Sequence, residues 1–177
     1  HTRFRNVTGV QTCALPIFRM VGLDEARLDD YAHQFSGGMR QRGMIAMAMA
    51  LNPALVVADE PTTALDVIVQ DQIMSRIREI HRQMKNAMIL ITHDIAVVSE
   101  SCNKIAVMYA GRVMEIGGPG VFTEPCHPYT IGLINAYPRF HDTDSDLISI
   151  RGAPPDLIDP PKGCRFHHRC PFATEKC

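Results

Sequence analysis

The chain has 177 residues, 46% hydrophobic and 21% charged, which suits one packed domain with a small appendage and excludes wholesale disorder. Eighteen Lys and Arg against nineteen Asp and Glu leave a net charge of −1, which argues against a general nucleic-acid binder. The longest apolar run, Met44 to Leu51, is far below the ~20 residues of a membrane span. Six cysteines, three of them in the last fourteen residues, do not read as a secreted disulfide scaffold.

Residues 1–17, HTRFRNVTGVQTCALPI, carry neither an amphipathic period nor the long apolar centre of a signal peptide. Val7 to Ile17 back-translates, with legal codons throughout, to a sequence that resembles a common short-read sequencing adapter. His1-Thr2-Arg3 continues the same resemblance upstream in frame. Segment 1–17 is therefore expected to be non-native, and Cys13 and the glycosylation-like Asn6-Val7-Thr8 are set aside with it. Native sequence is expected from near Phe18.

From there Asp24 to Gln34 reads as a polar surface helix. Ser36-Gly37-Gly38 interrupts it, and Met39 to Leu51 predicts a second helix with a heavily apolar face, ended by Asn52-Pro53. Ala54 to Ala58 is a short β-branched apolar run, the pattern of a buried parallel strand. Past Pro61-Thr62-Thr63, apolar Val69, Ile73, Ile77, Ile80 and Met84 recur at helical spacing. Ala87 to Ile91 predicts another buried strand and Ile95 to Ser101 a short helix. Lys104 to Tyr109 and Arg112 to Ile116 flank Ala110-Gly111 as a hairpin. Strand–helix–strand with short links implies a parallel sheet covered by helices, an α/β fold. Prolines cluster at and after Pro119, so a boundary is placed at Gly117–Gly120, giving segments 18–118 and 119–177. Pro125 to Thr130 reads as a turn into a helix over Ile131 to Tyr137.

Ligands of open α/β sheets bind beyond the carboxyl ends of the strands. One strand there delivers Asp59 and Glu60, the other Thr92, His93 and Asp94. Adjacent carboxylates suit a division of labour, one orienting Mg²⁺ and the next accepting a proton from an attacking water. A solvated acid pair beside a surface histidine is the bland alternative. Ser36 is placed to cap the following helix, and Gly37 and Gly38 leave its N–H groups open to phosphate oxygens, although Ser-Gly-Gly is also an ordinary helix start.

Phe35-Ser36-Gly37-Gly38-Met39-Arg40-Gln41-Arg42 resembles the signature motif of ABC transporter ATPases, with Met39 where many members carry Gln. Leu55 to Glu60 resembles their Walker B strand and catalytic glutamate, Ala64-Leu65-Asp66 their D-loop and His93 their switch histidine. The form of the signature, and the His127-Pro128-Tyr129 element further on, look like the oligopeptide/dipeptide importer branch. The resemblance implies an incomplete P-loop NTPase-type parallel sheet with helices, plus a small irregular C-terminal extension. It implies ATP and Mg²⁺ as cofactors, with Asp59 holding Mg²⁺ through water, Glu60 as general base and His93 at the γ-phosphate. Ser36, Gly37, Gly38, Met39 and Gln41 would clamp the nucleotide of a second ATPase subunit, and Asp66 would line that dimer interface. Further partners implied are transmembrane permease subunits and, indirectly, an extracellular peptide-binding protein, at the cytoplasmic face of a bacterial or archaeal plasma membrane.

The sequence contains no G-x-x-x-x-G-K-[ST] phosphate loop. The chain alone is therefore expected not to hydrolyse ATP, and its two strands to expose apolar faces that favour aggregation. In the tail, Cys164, Cys170 and Cys177 follow a C-x₅-C-x₆-C spacing unlike common zinc sites. It looks like an extension of peptide-importer ATPases that can carry an iron–sulfur cluster, but supplies three of the four thiolates that a [4Fe–4S] centre requires. Two rival readings stay open: a chromosome-maintenance or repair ATPase with the same motifs, and a non-enzymatic metal-binding module built on the cysteine tail.

Overall fold

The computed structural model describes residues 15–63, 65–136 and 150–177. Ala64, Tyr137 and Cys13 therefore lie outside the described residues, as does most of segment 1–17. The chain divides into two compact units, 1–98 and 99–177, with the hairpin in the second.

In the first unit a helical turn over 15–20 leads into the chain, and its Ile17, Phe18 and Met20 pack against the buried Val21 and Leu23. The helix expected over Asp24–Gln34 is instead two short 3-10 turns, Glu25–Arg27 and Ala32–Gln34. The side chains explain the break. Asp24 accepts from the Ala26 amide, and Gln34 reaches back to the Tyr31 amide. Such short polar loops compete with the helical ladder, and consecutive Asp29-Asp30 adds poor helix formers.

Helix α1 spans Gly37–Met49, opening where Ser36 Oγ accepts from the Met39 amide at 3.3 Å. It ends before Asn52, which takes a left-handed φ of 47° ahead of Pro53. Strand β1, Leu55–Asp59, pairs in parallel with β2, Ala87–Ile91, in the register Leu55↔Ala87 through Asp59↔Ile91. Between them lies α2, Val67–Met84, which buries Ile73, Ile77 and Ile80 of the expected stripe together with Met74, while Val69 and Met84 at its ends are half-buried. Ile80 joins Val21, Leu23, Ala46, Met49 and Val56 in one cluster, while Ile73, Met74 and Ile77 form another against Met88, Leu90 and Val97. Helix α3, Ile95–Ser101, follows β2.

The strands are parallel as expected but not buried on both faces. Leu55 is 51% exposed, Val57 57%, Ile89 49% and Ile91 47%, while Val56 is buried. A two-stranded sheet with helices packed on one side leaves alternate side chains uncovered, because strand side chains point to opposite faces.

In the second unit, β3, Ile105–Tyr109, and β4, Arg112–Gly117, form an antiparallel hairpin. Ala110 and Gly111 both take positive φ, 48° and 75°, as a two-residue turn matched to strand twist requires. Helix α4, Pro128–Asn135, starts with Pro128 at its first position and His127 as its cap, the ring Nδ1 accepting from the Tyr129 amide at 3.1 Å. Tyr109, Tyr129 and Phe166 interlock, Phe166 meeting Tyr109 edge-on at 5.3 Å and being 2% exposed. Around them Arg169 donates to the Tyr109 hydroxyl and to the carbonyls of Ile150 and Arg151, and Arg165 donates to the Ala110 carbonyl. Glu115 accepts from the amides of Cys126 and His127 at 2.8 and 3.0 Å. Burial opposes ionisation of Glu115, but the hydrogen bonds from those two amides and the neighbouring Thr130 side chain outweigh it and keep its pKa low.

Candidate functional site

Parallel pairing places the ends of β1 and β2 side by side, and the chain beyond each carries the polar residues. Asp59 ends β1 as an exposed carboxylate. Glu60 turns out of the sheet with a left-handed φ of 47°, its amide still donating to the Ile91 carbonyl at 2.9 Å. That turn aims its carboxylate across to the neighbouring strand. Glu60 Oε1 lies 2.9 Å from His93 Nδ1, and Oε2 accepts from the Thr63 hydroxyl at 2.9 Å. The His93 hydrogen bond, then that of Thr63, draws the Glu60 pKa below its ordinary value, and the bond to Glu60 raises that of His93. The result is a carboxylate held on both oxygens, next to an imidazole whose side chain is 83% exposed.

A second feature lies where α1 meets α2. Ser36, Gly37, Gly38 and Met39 line a groove of about 420 Å³ together with Arg42, Leu65, Asp66 and Val69. Asp66 caps α2 by accepting from the Val69 amide at 2.9 Å. Gly38 is required by packing: a Cβ there would stand 2.7 Å from Val69 Cγ1. Arg42 donates to the Gly22 carbonyl at 3.2 Å and to Gln72 Oε1 at 2.9 Å, tying α1 both to the preceding loop and to α2. Gln41, placed with the signature residues on sequence, is half-buried on α1 and does not line the groove.

Three sets of contacts are not legible in the sequence: that of Thr63 with Glu60, those of Arg42, and that of Gln70 with Asp94. The sequence marks Thr63 only as part of a turn, although a hydroxyl three residues after a carboxylate is a local hydrogen-bond signal. Arg42 and the bond between Gln70 and Asp94, 3.0 Å, link residues 20 to 30 positions apart, which local pattern does not reveal.

The donor set fits magnesium in its usual form, since that ion keeps several waters and takes one or two carboxylates beside substrate phosphates. Exposed Asp59 offers such a ligand, and the open helix start at Ser36–Gly38 suits phosphate oxygens. The tail is otherwise. Although the Cys164 amide meets the Cys177 carbonyl, among the described residues no group of three or more His, Cys, Asp or Glu side chains is placed to hold a metal ion. Their arrangement does not fit an iron–sulfur cluster.

Solved structures give the fold its class, that of an ABC ATPase cassette. cbiO1 from Clostridium perfringens, described as part of the ABC transporter complex cbiONQ, is 31% identical with a TM-score of 0.60, over 66% of this chain and 46% of that one. The ATP-binding cassette MJ0796, solved as a dimer in a post-hydrolysis state with ADP and Pi, is 29% identical with a TM-score of 0.56, over 66% of this chain and 51% of that one. The ABC transporter family matches residues 11–63, and the oligopeptide/dipeptide transporter C-terminal region matches 115–177. The oligopeptide transport ATP-binding protein OppD of Salmonella typhimurium is 55% identical over 152 residues, 85% of this chain and 45% of the relative. The dipeptide transport ATP-binding protein DppD of Bacillus subtilis is 49% identical over 166 residues, 92% of this chain and 50% of the relative. Both matched regions and these relatives make the chain similar to the ABC transporter ATP-binding proteins of the oligopeptide/dipeptide branch. It spans about half the length of the curated relatives it matches.

Proposed function

We propose that this chain is part of an ATP-hydrolysing subunit that powers import of oligo- or dipeptides. The observation that carries the reading is the Glu60 carboxylate, fixed by His93 and Thr63 at the carboxyl end of β1 beside Asp59. Segment 18–118 supplies the ATPase elements and 119–177 the extension of the peptide-importer branch.

Each residue has a task its setting supports. Glu60, kept ionised by its two hydrogen bonds, accepts a proton from a water attacking the γ-phosphate. His93 holds Glu60 in place and presents its exposed ring edge to that phosphate. Asp59 would hold Mg²⁺ through water, and the bound ion would spread the charge that develops on the transferring phosphoryl group. Ser36, Gly37, Gly38 and Met39 offer the N-terminal amides of α1 to the nucleotide of a second ATPase subunit, with Asp66 in the same groove facing that partner. Permease subunits and an extracellular peptide-binding protein complete the assembly. No described helix is long and apolar enough to cross a membrane, which suits a subunit held at the cytoplasmic face by its permeases.

The test is a chimera in which residues 18–177 replace the corresponding part of an OppD relative. Peptide uptake and Mg²⁺-dependent ATP turnover are expected, with Glu60→Gln lowering turnover at least 100-fold while ATP still binds, as loss of a general base predicts (~10²–10⁴-fold). Turnover unchanged by Glu60→Gln would overturn the assignment. The 177-residue chain alone is expected to show no turnover, because it carries no phosphate-loop motif.

A further inference from the structure

We propose that Gln70 is a positioning residue for the Glu60–His93 pair, tying it through Asp94 to the end of α2 that carries Asp66. The role rests on the ATPase reading, in which Glu60 takes the proton and Asp66 faces the second subunit. Gln70 stands about one helical turn after Asp66, and its amide donates to the Asp66 carbonyl at 2.9 Å. Its side-chain Nε2 leaves the helix and donates to Asp94 Oδ2 at 3.0 Å, across 24 positions of sequence.

Asp94 follows His93 directly, and both its oxygens are engaged. Oδ1 accepts from the amides of Ala96 and Val97 at 2.9 and 3.3 Å, where α3 begins. The Asp94 amide donates in turn to Thr92 Oγ1 at 3.2 Å. The carboxylate is thus gripped by α3 on one oxygen and by α2 on the other, and the turn over 92–94 is set between them. From that turn His93 Nδ1 meets Glu60 Oε1 at 2.9 Å. Leu65, Val69 and Val97 all pack against Ile73, Met74 and Ile77, so the start of α2 and α3 rest on one apolar base.

Contacts therefore run in an unbroken series from Asp66 through Gln70, Asp94 and His93 to Glu60. A carboxamide suits the bridge, because it donates to a carboxylate and adds no charge beside the Glu60–His93 pair. A shift of Asp66 on contact with a second subunit moves the first turn of α2, and Gln70 passes that movement to the turn carrying His93. Misplacing a reacting group by about 1 Å costs up to ~10²-fold in rate, whereas nucleotide affinity is set by other contacts.

The test reverses the bond. Gln70→Leu removes the donor, and Gln70→Glu sets a carboxylate against that of Asp94. Combining Gln70→Glu with Asp94→Asn exchanges donor and acceptor, while the side-chain oxygen at 94 still caps α3. In the full chain, hydrogen exchange of the 92–98 amides, read by mass spectrometry, should quicken several-fold in both single Gln70 variants. It should return toward the parent rate in the double variant. In the chimera carrying residues 18–177, both single variants should lower kcat for ATP roughly tenfold or more, with KM changed less than about twofold. The double variant should recover most of the loss, a coupling that additive damage to the fold does not produce. Unchanged kcat in Gln70→Leu, in a chimera that Glu60→Gln inactivates, would overturn the positioning role, as would a double variant no better than Gln70→Glu alone. A chimera without Glu60-dependent turnover would instead overturn the ATPase reading, and the role of Gln70 with it.

Discussion

Glu60 and His93 show how two exposed side chains set one another's charge. The fold lowers the Glu60 pKa from its ordinary 4.5, so what the ionised carboxylate contributes is complete above that value and is lost as pH falls through the lowered one. It raises the His93 pKa from its ordinary 6.5, so the imidazolium's contribution is complete below 6.5 and is lost as pH rises through the raised value. The ion pair is therefore fullest between these limits, from the mid-fours to the mid-sixes. A proton NMR titration of the His93 ring should give a midpoint above 6.5 that moves down in Glu60→Gln. A midpoint indifferent to that substitution would mean the 2.9 Å contact is not kept in solution.

At the scale of elements, α2 rests on its cap and on its buried stripe. Asp66→Ala removes the acceptor for the Val69 amide, and a loss of about 1 kcal/mol is expected from the shift of the urea midpoint. Because Asp66 also lines the groove with Ser36–Gly38, Asp66→Asn should keep most of the stability while changing the groove's charge. Ile80 is fully buried where Val21, Met49 and Val56 meet, so Ile80→Ala should cost about 2–5 kcal/mol, more than the cap. If the two variants unfolded at the same urea concentration, α2 would not be the keel of the first unit.

For the molecule as a whole, the uncovered sheet face is decisive. Leu55, Val57, Ile89 and Ile91 line one side of two strands that have no further strand beside them among the described residues. An exposed apolar face next to unpaired strand edges is a template for association. Light scattering should show concentration-dependent association of the isolated chain, reduced when Val57 and Ile89 are both replaced by Lys. A monomer at all concentrations, with no binding of an apolar dye, would contradict this.

Much of this was present in local pattern. The 3.6-residue period of Val69 to Met84 returned α2, the β-branched runs returned β1 and β2, and Ala110-Gly111 marked the hairpin turn. The motif residues themselves also pointed to the family, because Ser36–Gly38, Asp59-Glu60 and His93 stand at fixed chemical stations along the chain. Local pattern failed where partners decide. Asp24–Gln34 has helix formers, yet side-chain bonds to its own backbone divide it into two turns. Apolar strands read as buried only if something covers them, and here one face stays open. The amino-acid sequence by itself determined the types of the longer helices and of the strands and the chemical groups brought to the strand ends, since these follow from propensity and spacing. Only the tertiary structure decided that Glu60 meets His93 across 33 positions, that Arg42 ties α1 to α2, and that the three tail cysteines do not gather as metal ligands. Those outcomes depend on contacts between residues far apart in the chain, which the packing of the folded chain creates.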